Sequence, residues 1–136
     1  MRWEVRGVMR GFRWDNEVSL ESDSWREGGV SWRLKLDKPA DAIQVKLTLR
    51  LVDSHGRSGA KGSQSILLQR VPTAVAEKTD NGFLSGKANS VPWVSFEGDN
   101  FAAGASLQTS VGITLSAIQL AGCYNAQRDS ILIVVD

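Results

Sequence analysis

The chain has one cysteine, one histidine and three prolines in 136 residues. The lone cysteine, Cys123, excludes an internal disulfide, and the lone histidine, His55, leaves no second imidazole to build a zinc site around that thiol. Long hydrophobic runs are also lacking, and nothing approaches the ~20 apolar residues that cross a bilayer as a helix. No charge of one sign dominates. Sixteen Lys and Arg stand against fifteen Asp and Glu, so at a net charge of +1 no global field draws the chain to nucleic acid or an anionic membrane. Residues 1–70 hold 13 Lys/Arg and 9 Asp/Glu, and residues 71–136 hold 3 and 6, an asymmetry that suits a solvated surface. There is no Asn-x-Ser/Thr acceptor and no charged-then-apolar leader. Together these absences predict a soluble, cytoplasmic protein in a reducing compartment. The length fits one domain, residues 1–136, able to bury roughly two thirds of its unfolded surface.

What is present is period-two alternation. From Ile43 to Leu51 five aliphatics occupy the odd positions and four polar residues the even ones, the pattern of a strand with one face in a core and one in water. Trp3 and Val5 alternate with Arg2, Glu4 and Arg6 in a first strand. Trp32, Leu34 and Leu36 alternate with Arg33 and Lys35 after the paired glycines Gly28 and Gly29, which permit a tight reversal between Trp25 and Trp32. Ile66-Leu67-Leu68 is a further apolar run, closed by Val71-Pro72. Val91 to Phe96 is another, and Pro92, lacking an N–H, assigns it to an edge or a strand start. The continuous run Ile131 to Val135 predicts a strand buried on both faces. Residues 72–92 carry the weakest pattern. Residues 106–120 read two ways: Ile113, Leu115 and Ala117 suit a strand, whereas Leu115, Ile118 and Leu120 suit a short helix. With hardly any helix period elsewhere, the expectation is an all-β chain, an antiparallel β-sandwich of about 7–8 strands.

Catalytic constellations fail on spacing. Asp53-Ser54-His55 has the composition of a triad, but consecutive residues cannot converge their side chains on one hydrogen-bonded relay, and no Gly-x-Ser-x-Gly elbow surrounds Ser54. The run Gly56 to Ser63 reads Lys-Gly-Ser where a phosphate loop needs Gly-Lys-Ser/Thr ahead of a helix. Asp37 and Asp41 share one loop and Asp53 lies on the next, while Asp80, Glu97 and Asp99 are scattered, too dispersed for a calcium site. Cys123 has no neighbouring base to form a thiolate and reads as a packed small hydrophobe. The chain is therefore not expected to be an enzyme, and no cofactor or metal is expected.

Aromatic side chains are the remaining candidates. Five tryptophans is a high count, and large rings serve as core fillers and as interface anchors. Trp3, Trp14, Trp25 and Trp32 alternate or flank turns and read as core. Trp93, Phe96 and Phe101 lie in an irregular Pro/Gly segment where a binding surface competes with the core.

These residues carry a resemblance. Trp3-Glu4-Val5, then Ser22, Trp25, Gly28, Gly29, Trp32, Leu34 and Leu36, resemble the opening strand and the Ser-x-x-aromatic-x-x-Gly-Gly-x-x-Trp-x-aliphatic-x-aliphatic motif of the MATH (TRAF-C homology) domain. Trp stands at 25 where Phe is usual, and Pro39 falls where a proline commonly follows. Tyr124, with Arg128 to Ile133 after it, is similar to the closing strand. The resemblance spans the chain, with its specific part at residues 18–51. The family's Trp-Gly-aromatic is echoed by Trp93-Val94-Ser95-Phe96, without the glycine. The resemblance implies a non-catalytic adaptor or scaffold module that binds short extended peptide segments of a partner by strand addition. Trp93 and Phe96, with Phe83 and Phe101 as neighbours, are the implied peptide-binding residues, and Trp25, Gly28, Gly29 and Trp32 the implied structural motif. No coiled-coil repeat is present to predict a homo-oligomer. The alternative is a C2-like, calpain-type sandwich docking on lipid or calcium, in which Gly-Gly flanked by tryptophans also occurs and whose Gly-x-Tyr is echoed by Gly122-Cys123-Tyr124.

Overall fold

The computed structural model of the chain describes residues 1–8, 17–27, 30–40, 44–53, 60–73, 82–101, 106–108 and 112–135. In it the alternating segments form strands β1 (Arg2–Arg6), β2 (Val18–Glu21), β3 (Trp25–Glu27), β4 (Val30–Lys38), β5 (Gln44–Asp53), β6 (Ala60–Gln69), β7 (Ser90–Phe101), β8 (Ser106–Gln108), β9 (Ile113–Thr114) and β10 (Ser130–Val135). One short helix, α1 (Leu115–Leu120), precedes β10. All pairings are antiparallel. One sheet has the order β1-β10-β6-β7, and the other β2-β4-β5-β8, with β3 added to β4 and β9 to β5. The fold is an all-β sandwich.

The strand count exceeds the expected seven or eight because two positions are broken in two. β2 pairs with residues 35–38 of β4 and β3 with residues 30–32, so both lie along the edge of β4 opposite β5. β8 and β9 likewise share the free edge of β5. Ser22 makes the first break. Its N–H donates to the Leu34 carbonyl at 2.9 Å, and its hydroxyl accepts the Leu34 N–H at 3.0 Å, replacing a backbone acceptor where the chain leaves the ladder. The serine of the sequence motif is thus a ladder repair inside the fold.

Both sheets close on one core. Trp32, Leu34, Leu36 and Val45 face Val5, Ile66, Leu68, Phe96, Ile131, Ile133 and Val135, with Ile118 and Cys123 at one end. On β4 the alternation holds as the sequence predicts: its tryptophan and leucines are buried, and Arg33 and Lys35 lie half-exposed near Glu21 and Asp37 at 3.5 and 3.6 Å. Such solvated pairs contribute at most about 1 kcal/mol each. Lys38 continues the buried face of Trp32, Leu34 and Leu36 although it is charged, with its ammonium donating to the Pro39 carbonyl at 2.9 Å. β10 is flanked by β1 and β6, which accounts for its unbroken apolar run, and only Val134 of Ser130–Val135 is partly exposed.

The register between Glu27 and Val30 leaves Gly28 and Gly29 as the two residues between β3 and β4, and places Trp25 opposite Trp32. The glycines themselves lie outside the described residues, as do Trp14, Asp41, Ile43, Ser54 and His55 of the sequence reading. From Leu115 the helix reading holds, and Leu115 and Ala117, which also suited a strand, lie in α1, with Ile113 alone of the three in a strand. Strand character runs through Thr114, whose Oγ1 then accepts the Ala117 N–H at 3.1 Å and starts α1. α1 buries Ile118 and leaves Leu120 exposed.

A candidate peptide-binding edge

β7 is the last strand of its sheet, and among the described residues it pairs only with β6. Pro92 stands near its start, as its missing N–H requires of an edge. The register steps from Leu67↔Pro92 to Ile66↔Val94, so Trp93 is the extra residue of a β-bulge. β8 is the corresponding end of the second sheet's strand order.

The four aromatic candidates are not brought together as one surface. Phe96 pairs with Gln64, is buried and belongs to the main core. Phe83 is buried too, at 1% exposure, but stands outside the main core cluster. Neither ring is open to a partner. The side chain of Phe101 lies outside the described residues, although its backbone closes β7. Of the three rings whose side chains are described, Trp93 is the half-exposed one: it packs against the core with one side, and its Nε1 is buried without an acceptor among the described residues. Trp25, read from the sequence as core, is similarly half-exposed, whereas Trp32 is fully buried.

Elsewhere the chemistry is structural. Burial pushes the Cys123 thiol up from 9.0 to about 11, and its Sγ lies 3.7 Å from the carbonyls of Leu68 and Ala121, so it is a protonated core residue. No group of three His, Cys, Asp or Glu side chains able to hold a metal occurs among the described residues. The backbone of 60–69 is a strand, which removes the helix a phosphate loop would need after residues 56–63.

The strongest polar constellation is one that sequence reasoning missed. The Glu4 carboxylate on β1 accepts Arg128 Nε and Nη2, each at 2.7 Å, and Ser130 Oγ at 2.6 Å. Arg6 adds a longer contact at 3.5 Å. Tyr124 donates its hydroxyl to Asp129 at 2.5 Å, and the Asp129 carbonyl accepts the N–H groups of Gly7 and Val8. Asp129 holds a positive φ of 51°, fixed by these contacts at the entrance to β10. The cluster therefore locks the first strand to the last, across 124 residues of sequence.

The Arg128 hydrogen bonds and, after them, Ser130 hold the Glu4 carboxyl at about 2 against an ordinary 4.5, despite the opposing effect of burial. A depressed carboxylate contributes stability that is complete above its unfolded value and is lost as pH falls through its folded one. Glu4→Gln should therefore cost about 1–2 kcal/mol at neutral pH, a range that allows for its partial exposure to water. The gap to the wild type should close between pH 4.5 and about 2 in urea titrations at stepped pH. A gap independent of pH would exclude the ionised pair as its source.

Compared with known protein families and with curated proteins, the chain matches none.

Proposed function

We propose that the chain is a non-catalytic interaction module of the MATH type that binds an extended peptide of a partner protein along the outer edge of β7. The observation that carries this reading is the outer edge of β7, which pairs with no further strand among the described residues and has Trp93 at its bulge. An incoming strand would take up backbone groups of β7 that pair with no described strand, and the exposed part of the Trp93 ring would pack on a neighbouring side chain. The motif residues support the reading by their placement. Trp3 and Val5 pair with Ile133 and Ile131, so the opening and closing segments of the motif are adjacent strands, and Trp25 meets Trp32 across the glycine reversal. A cytoplasmic adaptor or scaffold role goes with this proposal.

Strand addition depends on backbone hydrogen bonds, which supplies the test. A peptide library should yield saturable micromolar binders, read by tryptophan fluorescence and confirmed by calorimetry. N-methylation at alternate peptide residues should abolish binding. Trp93→Ala should weaken it about tenfold or more while leaving the circular dichroism spectrum intact. Phe96→Ala is not a groove probe, because that ring is core. Binding that ignores N-methylation would sink the strand-addition reading. No peptide binding, together with a calcium-dependent melting shift or co-sedimentation with anionic liposomes, would favour the C2-like alternative.

A further inference from the structure

The outer face of the β1-β10-β6-β7 sheet, away from the core, carries a second layer. Segment 82–89 lies against it, held by bonds to turns and side chains rather than by a strand ladder. Gln69 Nε2 donates to the Gly86 carbonyl at 3.0 Å, the Leu84 N–H to the Arg70 carbonyl at 2.8 Å and the Arg70 N–H to the Asn89 carbonyl at 2.8 Å. Phe83 is buried at 1% exposure, and the buried Leu67 lines a cleft with Ser85, Gly86 and Lys87. Gly82 and Gly86, with φ of 84° and 88°, stand on either side of residues 83–85 in a backbone conformation that glycine adopts without strain. The segment is thus a strap, pinned at a few points between two pivots.

Its Gly82 end is pinned by one side chain. Asn125 Nδ2 donates to the Gly82 carbonyl at 2.9 Å, and a Cβ on Gly82 would stand 2.4 Å from that nitrogen. The same side chain also reaches the other way. Asn125 Oδ1 accepts the Arg128 N–H at 3.0 Å, and the Asn125 backbone pairs with Ser130 at 2.9 and 3.1 Å. Arg128 and Ser130 are the residues whose side chains hold Glu4 on β1. One asparagine therefore joins the strap to the clasp between the first and last strands.

We propose that segment 82–89 opens and closes over the sheet as a unit, and that Asn125 latches it to the Glu4–Arg128–Ser130 clasp. Opening breaks the bonds at Gly82, Leu84 and Gly86 and uncovers Leu67 and the Phe83 ring, while the four-strand ladder stays paired. The Asn89 carbonyl leaves Arg70 in the same step, so the pairing just ahead of Ser90, the first residue of β7, is lost. β1 and β7 are the opposite ends of this sheet, and the latch makes the start of β7 responsive to events at β1. Such coupling is reciprocal: loosening the clasp favours the open strap, and opening the strap weakens the clasp. The device stands whether or not a peptide binds the β7 edge.

The test is native-state hydrogen exchange, read from ¹H–¹⁵N correlation spectra of the full chain. Asn125→Asp keeps an acceptor for the Arg128 N–H and puts a carboxylate oxygen where the donor to Gly82 was. It should speed exchange of the Leu84 and Arg70 N–H groups about tenfold or more, while Leu34 in the main core keeps its protection. Glu4→Gln should speed the same two groups in the wild-type background and add nothing to them in Asn125→Asp. Gln69→Met, which removes the bond to Gly86 and leaves the Asn125 turn untouched, should speed them too, and it keeps the strap testable should the turn variant fail to fold. Unchanged exchange at Leu84 and Arg70 in these variants, or equal acceleration at Leu34, would overturn the strap. A full effect of Glu4→Gln in the Asn125→Asp background would overturn the latch.

Discussion

Trp32→Ala is expected to lower the unfolding free energy by about 3–5 kcal/mol, a large part of the roughly 5–15 kcal/mol that holds a domain together. The ring is 1% exposed and sits on β4, where the two sheets meet. Its neighbours along the strand, Leu34 and Leu36, are equally buried, and β5 on one side and β3 on the other fix the backbone that carries it. A cavity left there is bounded by buried side chains of both sheets, which limits how far it can collapse. Urea unfolding followed by circular dichroism should show a lower midpoint with an unchanged slope. Trp25→Ala is the control: its ring lies opposite Trp32 but is half-exposed on an outer, three-residue strand, so its loss should cost clearly less. Equal losses in the two variants would mean that the hairpin, rather than the burial of Trp32, carries the stability.

The same residue shows why the fold could be read in advance. Side chains on a strand alternate with period two, so wherever one face is buried the sequence itself records the face. Trp32, Leu34 and Leu36 record it for β4, and Ile131 to Val135 record double burial for β10. Pro92 placed β7 at an edge because a missing N–H cannot be hidden in a ladder. The interruptions were less legible. Ser22 splits one strand position through a hydroxyl bond to a residue 12 places away, and nothing local announces that partner. The Glu4–Arg128–Ser130 cluster was invisible for the same reason: an arginine and a serine 124 and 126 positions from Glu4 have no spacing to read, and only the antiparallel pairing of β1 with β10 brings them together. The aromatic candidates illustrate the limit from the other side. An irregular Pro/Gly segment marks where a ring could be exposed, but β7 buries Phe96 against one sheet face and leaves Trp93 half out because a bulge adds one residue. That register step depends on how β6 lines up against β7, which no pattern in residues 90–101 encodes.

Phe83→Ala is the second change expected to be severe, for a different reason. Phe83 is 1% exposed yet lies outside the core cluster, as do the buried Leu67 and Leu132, which register assigns to the outer face of the β1-β10-β6-β7 sheet. The ring is therefore buried apart from the main core, within the segment 82–89. Removing a buried phenyl typically costs 3–5 kcal/mol, but a segment of turns can sink further than a sheet can, so about 2–4 kcal/mol is expected here. The difference from Trp32→Ala should be visible in where the damage falls. Hydrogen exchange should accelerate first at Leu84 and Asn89, whose N–H groups bond to Arg70 and Gly86, while Leu34 and its neighbours in the main core keep their protection. Uniform loss of protection would mean that the segment 82–89 and the core unfold as one unit. Local loss would mean that the segment 82–89 has a stability of its own, set largely by one aromatic ring.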